Sequence, residues 1–482
     1  MGLKIYNSLT KSKEKFTPVK TDVVRIYNCG PTVYDYFHIG NARNFITAET
    51  VRRYLAYKGY KVKFIQNVTD IEDKIINKAK ETGVTPSDVA EKFTKAYFED
   101  LEKLGIKPAD ISPKATEHIE DIIEFVQELI DKGYAYEVDG DVYFEVAKFK
   151  EYGKLSGQKI EDTIAGARVE ADDRKKHPAD FNLWKSSKPG ETGWPSPWGM
   201  GRPGWHIECS VMSSKYLGET FDIHLGGNDL IFPHHENEIA QSEALTGKPL
   251  AKYWMHNGML QMTGDKMSKS LGNIKNVRDL LEDYEPDVIR FYLLSSHYRG
   301  PLELTNDSLD EAKKALQRLW NCSDMTSRLG DSQSQVMEHK LNESEKMLSE
   351  EIDKAIDKFE ESMDDDFNTS GAVGAIFELV AEANKFAGEN PSPSDQGKAV
   401  LGKVNKTLNE LCQILGINAN KESSIAEDDS FVNDLLQLIV NIRQDARKNK
   451  NWDTADKIRD GLSELGVKLE DTRDGVVWKI DR

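Results

Sequence analysis

Four side chains that can bind a soft metal ion are spread along this chain of 482 residues. His234 and Glu238 lie four residues apart, so both project from one face of a predicted helix. Cys29 ends a predicted strand, and Cys209 lies on another predicted helix. Two thiolates, one imidazole and one carboxylate form a set that Zn²⁺ accepts. Spacing alone leaves a second interpretation open, in which the cysteines pack in the core and the His–Glu pair lies at the surface.

Two further patterns could bind phosphate groups. His38-Ile39-Gly40-Asn41 lies between a predicted strand and a predicted helix start, where backbone N–H groups and the helix dipole attract anions. His38 and Asn41 can donate hydrogen bonds to phosphate oxygens, and Gly40 lets a ligand approach the backbone closely. Lys266-Met267-Ser268-Lys269-Ser270 offers positive charge and hydroxyl donors to a transferring phosphate group. The simpler alternatives are a helix cap with a surface histidine and a solvated lysine loop.

Histidines are concentrated in one part of the chain. Four of the ten, His224, His234, His235 and His256, fall within residues 224–256. Because imidazole is both a common metal ligand and a proton carrier near neutral pH, this concentration favours a functional cleft over a chance scatter.

The elements that must position these residues alternate between strand and helix. Val23–Tyr27 and Val62–Ile65 are typical of buried strands, and a helical pattern covers Asn41–Lys58 between them. This order predicts a parallel sheet. Another helical pattern starts at Ile71. The alternation resumes after residue 204, with helix Trp205–Tyr216, strand Thr220–Leu225, helix His234–Leu245 and strand Tyr253–His256.

A long insertion separates the two halves of this pattern. Helical periodicity runs over Thr85–Lys132, and Ala135–Val146 is a predicted hairpin with its turn at Asp139-Gly140. Gly153–Arg202 is rich in glycine, proline and charged residues, which predicts mostly loop.

Helices dominate the rest of the chain. Before the tail, strands are predicted to stop at about Asp279. Four long amphipathic helices are predicted over Leu309–Arg328, Ser344–Met363, Gly371–Ala387 and Lys398–Leu415. The polar stretch Asn418–Ser430 is a predicted linker. The tail is predicted to contain helices Asp434–Arg447 and Thr454–Leu465 and a hairpin, Val467–Ile480, around Asp474-Gly475.

The composition limits the possible locations and partners. Sixty-four Lys and Arg residues oppose 82 Asp and Glu residues, and the net charge of −18 argues against general attraction to DNA or anionic membranes. No apolar stretch approaches the roughly 18 residues of a membrane span, and Met1–Lys15 lacks the apolar core of a secretion signal. Four scattered cysteines do not make a disulfide framework. We therefore expect a cytoplasmic protein with no membrane partner.

One basic segment could still bind nucleic acid. Residues 443–459 contain six basic and three acidic side chains, which is an excess of positive charge in an acidic chain. The alternative is a solvated helix face. Trp452 lies in this segment and is interpreted as a core residue of the tail, although it could stack on a base of an RNA loop.

These patterns together resemble a known family. The order of the two phosphate-binding patterns, with an insertion between them, is similar to that in class I aminoacyl-tRNA synthetases. Four segments resemble cysteinyl-tRNA synthetases in particular: 28–35 (NCGPTVYD), 204–210 (GWHIECS), 232–238 (FPHHENE) and 452–459 (WDTADKIR). The resemblance therefore covers nearly the whole chain.

The resemblance implies an α/β fold with a Rossmann-like parallel-sheet catalytic domain and a connective insertion. A helical-bundle anticodon-binding domain and a small mixed α/β tail are expected to follow. The catalytic domain is expected in two halves, 1–115 and 204–262, on either side of the insertion at 116–203. The other expected domains are a stem-contact region with the lysine-rich loop at 263–308, the helical domain at 309–418 and the small C-terminal domain at 431–482.

The implied activity is ATP-dependent activation of L-cysteine to cysteinyl-adenylate and transfer to the 3′-terminal adenosine of tRNA(Cys). The implied cofactors are one Zn²⁺ per chain and ATP with Mg²⁺, and the implied state is a monomer. Zinc would solve a selectivity problem, because apolar pockets separate near-isosteres such as cysteine and serine by only about 10–200-fold. Our hypothesis is that zinc holds the substrate sulfur, that no editing site is needed, and that Glu238 is the ligand that lengthens or leaves.

The resemblance also assigns roles to individual residues. The implied zinc ligands are Cys29, Cys209, His234 and Glu238. The implied catalytic residues are His38, Asn41, Lys266 and Lys269. The implied ATP contacts are Gly40, Asp229, His256, Ser268, Lys269 and Ser270. The implied amino-acid contacts are Thr69, Trp205 and His224.

Asn41 departs from the wider class, in which the first signature usually ends in histidine. Asparagine is a neutral hydrogen-bond donor that cannot become an imidazolium. At this position we therefore expect hydrogen bonding to phosphate and no positive charge.

Two other functions are compatible with parts of the pattern. A ligase that delivers activated cysteine to a small amine would not need the helical and mixed regions after Leu309, and this chain has both. A non-catalytic RNA-binding or metal-binding protein would not need His38, Lys266, Lys269 or the four candidate ligands. We therefore favour the synthetase.

We predict that Lys269→Ala lowers the rate of cysteinyl-adenylate formation by about 10²–10³-fold, the loss expected when one preorganised donor to developing negative charge is removed. A single-turnover measurement of adenylate formation checks this prediction. An unchanged rate would show that Lys269 has no such role.

Overall fold

The structure of this chain is a computed structural model, and it describes residues 2–159, 173–188, 190–262, 265–266, 276–420, 425–465, 467–472 and 475–480. The chain divides into two compact units, Met1–Asn420 and Lys421–Arg482. No helix among the described residues has both the length and the apolar character that crossing a membrane requires.

The strands and helices are named here in chain order. The strands are β1 (Lys4–Asn7), β2 (Ser12–Lys15), β3 (Val23–Asn28), β4 (Lys61–Gln66), β5 (Ala135–Val138), β6 (Asp141–Phe144), β7 (Phe181–Ser186), β8 (Trp194–Ser196), β9 (Gly199–Pro203), β10 (Phe221–Gly227), β11 (Ala251–Asn257), β12 (Leu260–Met262), β13 (Asp265–Lys266), β14 (Leu302–Leu304), β15 (Val467–Thr472) and β16 (Gly475–Ile480). The helices are α1 (Ile39–Tyr57), α2 (Asp73–Thr82), α3 (Pro86–Lys103), α4 (Ile119–Asp131), α5 (Ile207–Leu217), α6 (Glu236–Thr246), α7 (Val277–Asp283), α8 (Pro286–Leu294), α9 (Asn306–Leu329), α10 (Glu343–Asp364), α11 (Thr369–Glu389), α12 (Asp395–Leu415), α13 (Ile425–Lys448) and α14 (Trp452–Glu464).

A four-stranded parallel sheet forms the centre of the first unit. Its strand order is β11–β10–β3–β4, and every pairing in it is parallel. Helix α1 packs against β4, β10 and β11, and α5 packs against β3. The sheet is therefore largely buried, which explains why its strands are rich in apolar and aromatic residues. The predicted α/β fold with a parallel sheet is confirmed.

The insertion contains a second sheet. Its order is β5–β6–β7–β9–β8, and all its pairings are antiparallel. The predicted hairpin at Asp139-Gly140 is confirmed, because both residues have positive φ angles, 52° and 85°. The prediction of mostly loop for Gly153–Arg202 is wrong where β7, β8 and β9 lie. Glycine and proline within and between these short strands hide the alternation that marks a strand.

The four predicted long helices are confirmed as α9, α10, α11 and α12. They pack on one another, and α9 also packs on α8. The expectation that strands stop at about Asp279 is wrong, because β14 pairs in parallel with β12. Three residues are too few to show a strand period in the sequence.

Helix α1 joins the sheet to these later helices. Its Glu49 accepts a hydrogen bond from Arg290 of α8, and both side chains are buried. Arg290 Nε donates to the Leu415 carbonyl at the end of α12 over 2.8 Å. Arg53 Nη1, one turn along α1, donates to the Gln413 carbonyl over 2.9 Å. Buried charge is tolerated here because each guanidinium meets both a carboxylate and a carbonyl group.

The second unit contains α13, α14 and the hairpin of β15 and β16, as predicted. Its small core includes Leu436, Leu462 and Val467. The predicted linker Asn418–Ser430 is wrong from Ile425 onward, where α13 begins, and residues 421–424 lie outside the described residues. The polar composition of this stretch resembles that of a linker although its second half is helical.

The basic segment at residues 443–459 differs from expectation in three respects. Trp452 is 57% exposed, so its interpretation as a core residue is wrong; the buried positions of α14 begin at Ala455. Arg443 is buried. Arg459 forms an ion pair with Asp456, 3.0 Å apart.

We predict that Arg290→Met lowers the free energy of unfolding by about 3–5 kcal/mol, because it leaves the buried carboxylate of Glu49 without its closest cation. Chemical denaturation followed by circular dichroism measures this. The matched control is Arg328→Met, which removes an exposed pair with Asp324 and should cost less than about 1 kcal/mol. Equal losses in the two variants would contradict the prediction.

Candidate active site

A cavity of about 350 Å³ lies at the carboxyl ends of the parallel strands. Gly227 ends β10, Asn257 ends β11 and Cys29 follows β3, and all three residues line the cavity. Parallel strands present their carboxyl ends at one edge of the sheet, where open α/β folds bind ligands. Six of the residues assigned from sequence line this cavity: Cys29, His38, Gly40, Asn41, Trp205 and Asp229.

The four predicted metal ligands converge around Cys29. One ligand atom each from Cys29, Cys209, His234 and Glu238 lies within 4.8 Å of all the others, and all four residues are buried. His234 Nε2 lies 3.1 Å from Glu238 Oε1, and Cys29 Sγ lies 3.7 Å from the same oxygen. His234 belongs to the helical turn Ile231–His235 that leads directly into α6, which explains why it faces Glu238.

Burial and close contacts determine the charges in this cluster. Burial lowers the pKa of His234, but hydrogen bonds with Cys209 and Glu238 raise the pKa to about 10. The hydrogen bond with Cys29 lowers the pKa of Cys209 to about 6, whereas burial raises the pKa of Cys29 well above its usual range. Protons therefore occupy His234 and Cys29 where a divalent cation could replace them. The donor set fits zinc in ligand type and in number.

Glu238 carries its charge although it is fully buried. Burial raises its pKa, but the neighbouring His224 and His234 lower the pKa well below its usual range. His224 Nε2 lies 2.8 Å from Glu238 Oε2, so the two carboxylate oxygens have different partners. The His224 ring also stacks on Trp254, with 4.4 Å between ring centroids. His224 does not belong to the cavity lining, although the resemblance implied contact with the amino acid.

His235 is a functional candidate that the sequence assignment missed. Its Nε2 lies 3.2 Å from Cys29 Sγ, and Cys29, His224, His235 and Glu238 form a second group whose ligand atoms lie within 4.8 Å of one another. Its Nδ1 lies 2.8 Å from His256 Nε2. The sequence signal for His235 was its position next to His234. Adjacent residues of one helical turn can reach two neighbouring groups of side chains, and here both groups contain Cys29 and Glu238.

The structure does not bring His256 to the cavity. Its Nε2 contacts His235, and its Nδ1 lies 2.8 Å from Ser8 Oγ, so both ring nitrogens have protein partners. Burial lowers the pKa of His256 to about 3, which keeps the ring neutral. The expected contact between His256 and ATP thus has no counterpart in the lining of the cavity.

Trp205 is the only predicted amino-acid contact in the lining of the cavity. Its ring centroid lies 4.5 Å from that of His234. Thr69 is buried, and its Oγ1 donates to Glu208 Oε2 over 2.8 Å. Burial raises the pKa of Glu208 well above its usual range. Trp205 thus contacts a candidate metal ligand, His234, and also lines the cavity.

His38 and Asn41 cap the N-terminus of α1 and also line the cavity. His38 Nδ1 accepts from the Asn41 backbone N–H over 3.3 Å, and Asn41 Oδ1 accepts from the His38 backbone N–H over 3.2 Å. The helix-cap interpretation and the ligand-binding interpretation are thus compatible. Asn41 supplies the cap acceptor without a positive charge.

The lysine-rich pattern lies mostly outside the described residues. Lys266 belongs to β13, which pairs with β12, and its side chain is not described. Ser268, Lys269 and Ser270 lie outside the described residues. Their assigned roles stay predictions.

Family models and solved structures match the chain over most of its length. The model for the class I (C) tRNA synthetase catalytic domain matches residues 15–314, the DALR domain matches 358–420, and the cysteinyl-tRNA ligase anticodon binding domain matches 433–478. The Mycobacterium tuberculosis methionyl-tRNA synthetase in complex with methionyl-adenylate has the same fold, with a TM-score of 0.61 and 16% identity over 82% of this chain and 90% of that chain. A putative arginyl-tRNA synthetase from Campylobacter jejuni gives a TM-score of 0.55 at 15% identity, over 83% and 94% of the two chains.

Sequence relatives decide the family. The cysteine–tRNA ligase of Clostridioides difficile is 52% identical over 99% of this chain and 100% of its own length. The cysteine–tRNA ligase of Thermococcus onnurineus is 50% identical over 99% of each chain. This chain belongs to the cysteine–tRNA ligase family. As a class I aminoacyl-tRNA synthetase of this family, it uses ATP to join cysteine to tRNA(Cys), and the expected family and enzyme class are confirmed.

Two asparagines in the cavity of this cysteine–tRNA ligase were not predicted. Asn44 and Asn257 line the cavity, and a side-chain oxygen of each has no partner among the described residues. Asn257 Nδ2 donates to Thr47 Oγ1 over 2.8 Å. Asn44 could have been found from sequence, because it lies three residues beyond Asn41 on the same face of α1. No local sequence pattern points to Asn257.

We predict that Gly30→Ala destabilises the ligase by about 3 kcal/mol, because an added Cβ would lie 1.6 Å from the Asn67 carbonyl oxygen. The backbone next to Cys29 would have to move, so the rate of cysteine activation and any metal content of the candidate ligand set should fall as well. The control is Gly374→Ala within α11, where a Cβ meets nothing within 4 Å and should stabilise the helix by about 0.5–1 kcal/mol. Thermal unfolding and metal analysis of both variants check this prediction. Equal changes in stability for the two variants would contradict it.

Proposed function

We propose that Cys29, Cys209, His234 and Glu238 hold one zinc ion per chain and that this ion selects the substrate by its sulfur. The convergence of the four buried ligand atoms within 4.8 Å is the observation that supports the proposal. Zinc bound there would supply a soft cation that binds a thiolate in preference to a neutral hydroxyl. Discrimination of cysteine from serine could then exceed the limit of an apolar pocket without an editing site.

Neighbouring histidines orient these ligands in our proposal. His224 occupies Oε2 of Glu238, which leaves Oε1 facing His234 and Cys29. His206 Nδ1 lies 2.9 Å from His234 Nδ1, which leaves Nε2 of His234 as the ligand atom. Partners of this kind fix the ring orientation and the tautomer of a metal-binding histidine. We therefore propose that His224 acts on the substrate indirectly, through Glu238.

The amino acid would occupy the cavity beside Trp205. This side chain lines the cavity and contacts the ring of His234, so it can cover the substrate next to the proposed metal site. Thr69 would act through Glu208, whose other carboxylate oxygen has no partner among the described residues. A protonated Glu208, which its raised pKa favours, is able to donate a hydrogen bond from that oxygen.

ATP would bind where α1 begins. The backbone of Gly40 at this helix N-terminus, with the side chains of His38 and Asn41, would face the phosphates. Asp229, at the carboxyl end of β10, would accept hydrogen bonds from the ribose. The lysine-rich segment, with Lys266, Ser268, Lys269 and Ser270, would supply positive charge and donors to the departing pyrophosphate, and Mg²⁺ would accompany ATP.

The reaction that this arrangement would support has two steps. The cysteine carboxylate attacks the α-phosphorus of ATP, which forms cysteinyl-adenylate and releases pyrophosphate. A hydroxyl of the 3′-terminal adenosine of tRNA(Cys) then attacks the cysteinyl carbonyl and releases AMP. The protein contributes positioning and charge stabilisation in both steps.

The remaining proposals concern the domain boundaries, RNA binding, the oligomeric state and the location of the protein. We propose the catalytic halves 1–115 and 204–262, the insertion 116–203, the stem-contact region 263–308, the helical domain 309–418 and the tail 431–482. The exposed ring of Trp452 is available to stack on an RNA base. We also propose a monomer in the cytoplasm, and the four unpaired cysteines suit a reducing compartment.

The test of zinc selection combines metal analysis with ATP–pyrophosphate exchange. The zinc-loaded ligase should use cysteine over serine by more than about 10⁴-fold in kcat/KM, well beyond an apolar pocket. Cys209→Ser should lose its zinc and lower kcat/KM for cysteine by at least about 10²-fold. Appreciable ATP–pyrophosphate exchange with a modest excess of serine would contradict the proposal.

The matched control is Cys412→Ser. Cys412 is also a buried, unpaired cysteine, but it lies in α12 outside the metal cluster. This variant should keep one zinc ion per chain and keep its selectivity. A Cys209→Ser protein that retains both would contradict the ligand assignment.

A further inference from the structure

One wall of the cavity rests directly on a turn that follows α8. Gly258 and Met259 line the cavity just after β11. The Gly258 N–H donates to the Tyr298 carbonyl over 2.8 Å. A Cβ on Gly258 would lie 2.3 Å from the Gly300 oxygen and 2.5 Å from the Arg299 oxygen. Residues 297–300, called the backing turn below, therefore determine where this wall of the cavity lies.

Arg43 joins the wall to the backing turn. It lies in α1, two residues after Asn41, and it is buried. One of its terminal nitrogens, Nη1, donates to the carbonyls of Gly258 and Met259, over 2.9 Å and 3.3 Å. The other, Nη2, donates to His297 and Gly300, over 3.2 Å and 2.7 Å. A single planar guanidinium thus fixes four carbonyl groups of two segments in one geometry.

Asp366 holds the same turn from the helical region. It lies between α10 and α11 and is fully buried. Its Oδ1 accepts from the Tyr298 hydroxyl and from the Tyr6 N–H, each over 2.8 Å. Its Oδ2 accepts from Arg299 Nε over 2.8 Å. The backbone of Asp366 has a φ of +67°, a conformation that few residues other than glycine, asparagine and aspartate adopt, and the three hydrogen bonds hold its carboxylate in one place.

A second contact supports the role of this segment. Thr369, at the start of α11, donates from Oγ1 to the Leu294 carbonyl at the end of α8 over 2.7 Å. The junction of α10 and α11 therefore contacts both the end of α8 and the backing turn. This junction belongs to the region that matches the DALR family model, whereas the wall belongs to the catalytic match.

We propose that Arg43 and Asp366 are positioning residues for ATP, and that they act through the backing turn on the wall formed by Gly258 and Met259. The inference rests on the proposed binding of ATP in this cavity. Neither residue touches substrate in our proposal. Loss of the Asp366 carboxylate removes the acceptor of Tyr298 and Arg299, so the backing turn and the wall can shift. Displacements of about 1 Å in a binding site can cost up to about 10²-fold in rate.

The first test is Asp366→Asn in the full-length enzyme, measured by ATP–pyrophosphate exchange. We expect KM for ATP to rise by about tenfold while KM for cysteine changes by less than about twofold. Tyr298→Phe removes one hydroxyl and should raise KM for ATP by about threefold, which provides a milder variant if Asp366→Asn folds poorly. Equal changes in the two KM values, or no change in either variant, would overturn the inference.

The matched control is Asp364→Asn, two residues earlier. Asp364 is also buried, but it faces α1 and not the backing turn: its Oδ1 accepts from the Tyr54 hydroxyl over 2.7 Å, and its Oδ2 lies 3.6 Å from Lys58 Nζ. Asp364→Asn should lower the thermal stability and leave KM for ATP unchanged. If it raised KM for ATP as much as Asp366→Asn does, a general loss of stability would explain both effects and the inference would fail.

A double variant tests whether the two residues act through one element. Arg43→Lys keeps the charge but cannot reach all four carbonyls, so KM for ATP should rise by about tenfold. In the double variant Arg43→Lys with Asp366→Asn, the rise should stay close to that of the larger single variant, because both substitutions release the same turn. A rise equal to the product of the two single effects would mean that they act independently.

Asn41→Ala separates this inference from the proposed function. Asn41 is a proposed ATP contact, so its loss should raise KM for ATP by about tenfold. If Asn41→Ala leaves KM for ATP unchanged, the assignment of ATP to this end of the cavity fails. If Asn41→Ala raises it and Asp366→Asn does not, only the positioning inference fails.

Discussion

The buried carboxylate of Glu238 is the group on which the candidate site depends. Removing a carboxylate from water costs several kcal/mol unless charged or hydrogen-bonding partners replace the solvent. His224 provides such a partner at one oxygen, 2.8 Å away, and His234 provides one at the other, 3.1 Å away. Because one partner comes from β10 and the other from the turn before α6, the carboxylate stays charged only when strand and helix pack as they do. The same packing brings the sulfur atoms of Cys29 and Cys209 within 4.8 Å of the ligand atoms of His234 and Glu238.

Helix α1 connects the chemistry at one end of the molecule's first unit to the helices at the other. Its first turn carries the cap formed by His38 and Asn41, which also lines the cavity. Arg43 follows and binds the wall of the cavity, and Glu49 and Arg53 then contact α8 and α12. A single rigid element thus touches the proposed ATP site, the wall and the helical region. This explains why most of α1 is buried, including its polar residues Arg43, Asn44 and Glu49.

Much of the fold could be predicted because the parallel sheet and the long helices have strong periodicity. Strand β3 extends only one residue beyond its prediction, and α9 to α12 appear where the apolar spacing placed them. The failures have a common physical origin. Strands β8 and β14 are three residues long, and β9 contains two glycines and a proline, so tertiary pairing and not local pattern makes them strands. The prediction for Trp452 failed for a related reason, since its aromatic residue type does not reveal which face of a small domain is covered.

The amino-acid sequence by itself determined the family, the parallel α/β class and the identity of the four candidate metal ligands, because these follow from residue types in recognisable segments. Only the tertiary structure decided how the ligands are held. It assigned His224 to Glu238, placed His235 against Cys29, and removed His256 from the cavity by pairing it with His235 and Ser8. All these histidines look alike in sequence. Their roles differ because ring orientation and hydrogen-bond partners depend on packing between strands and helices that are far apart along the chain.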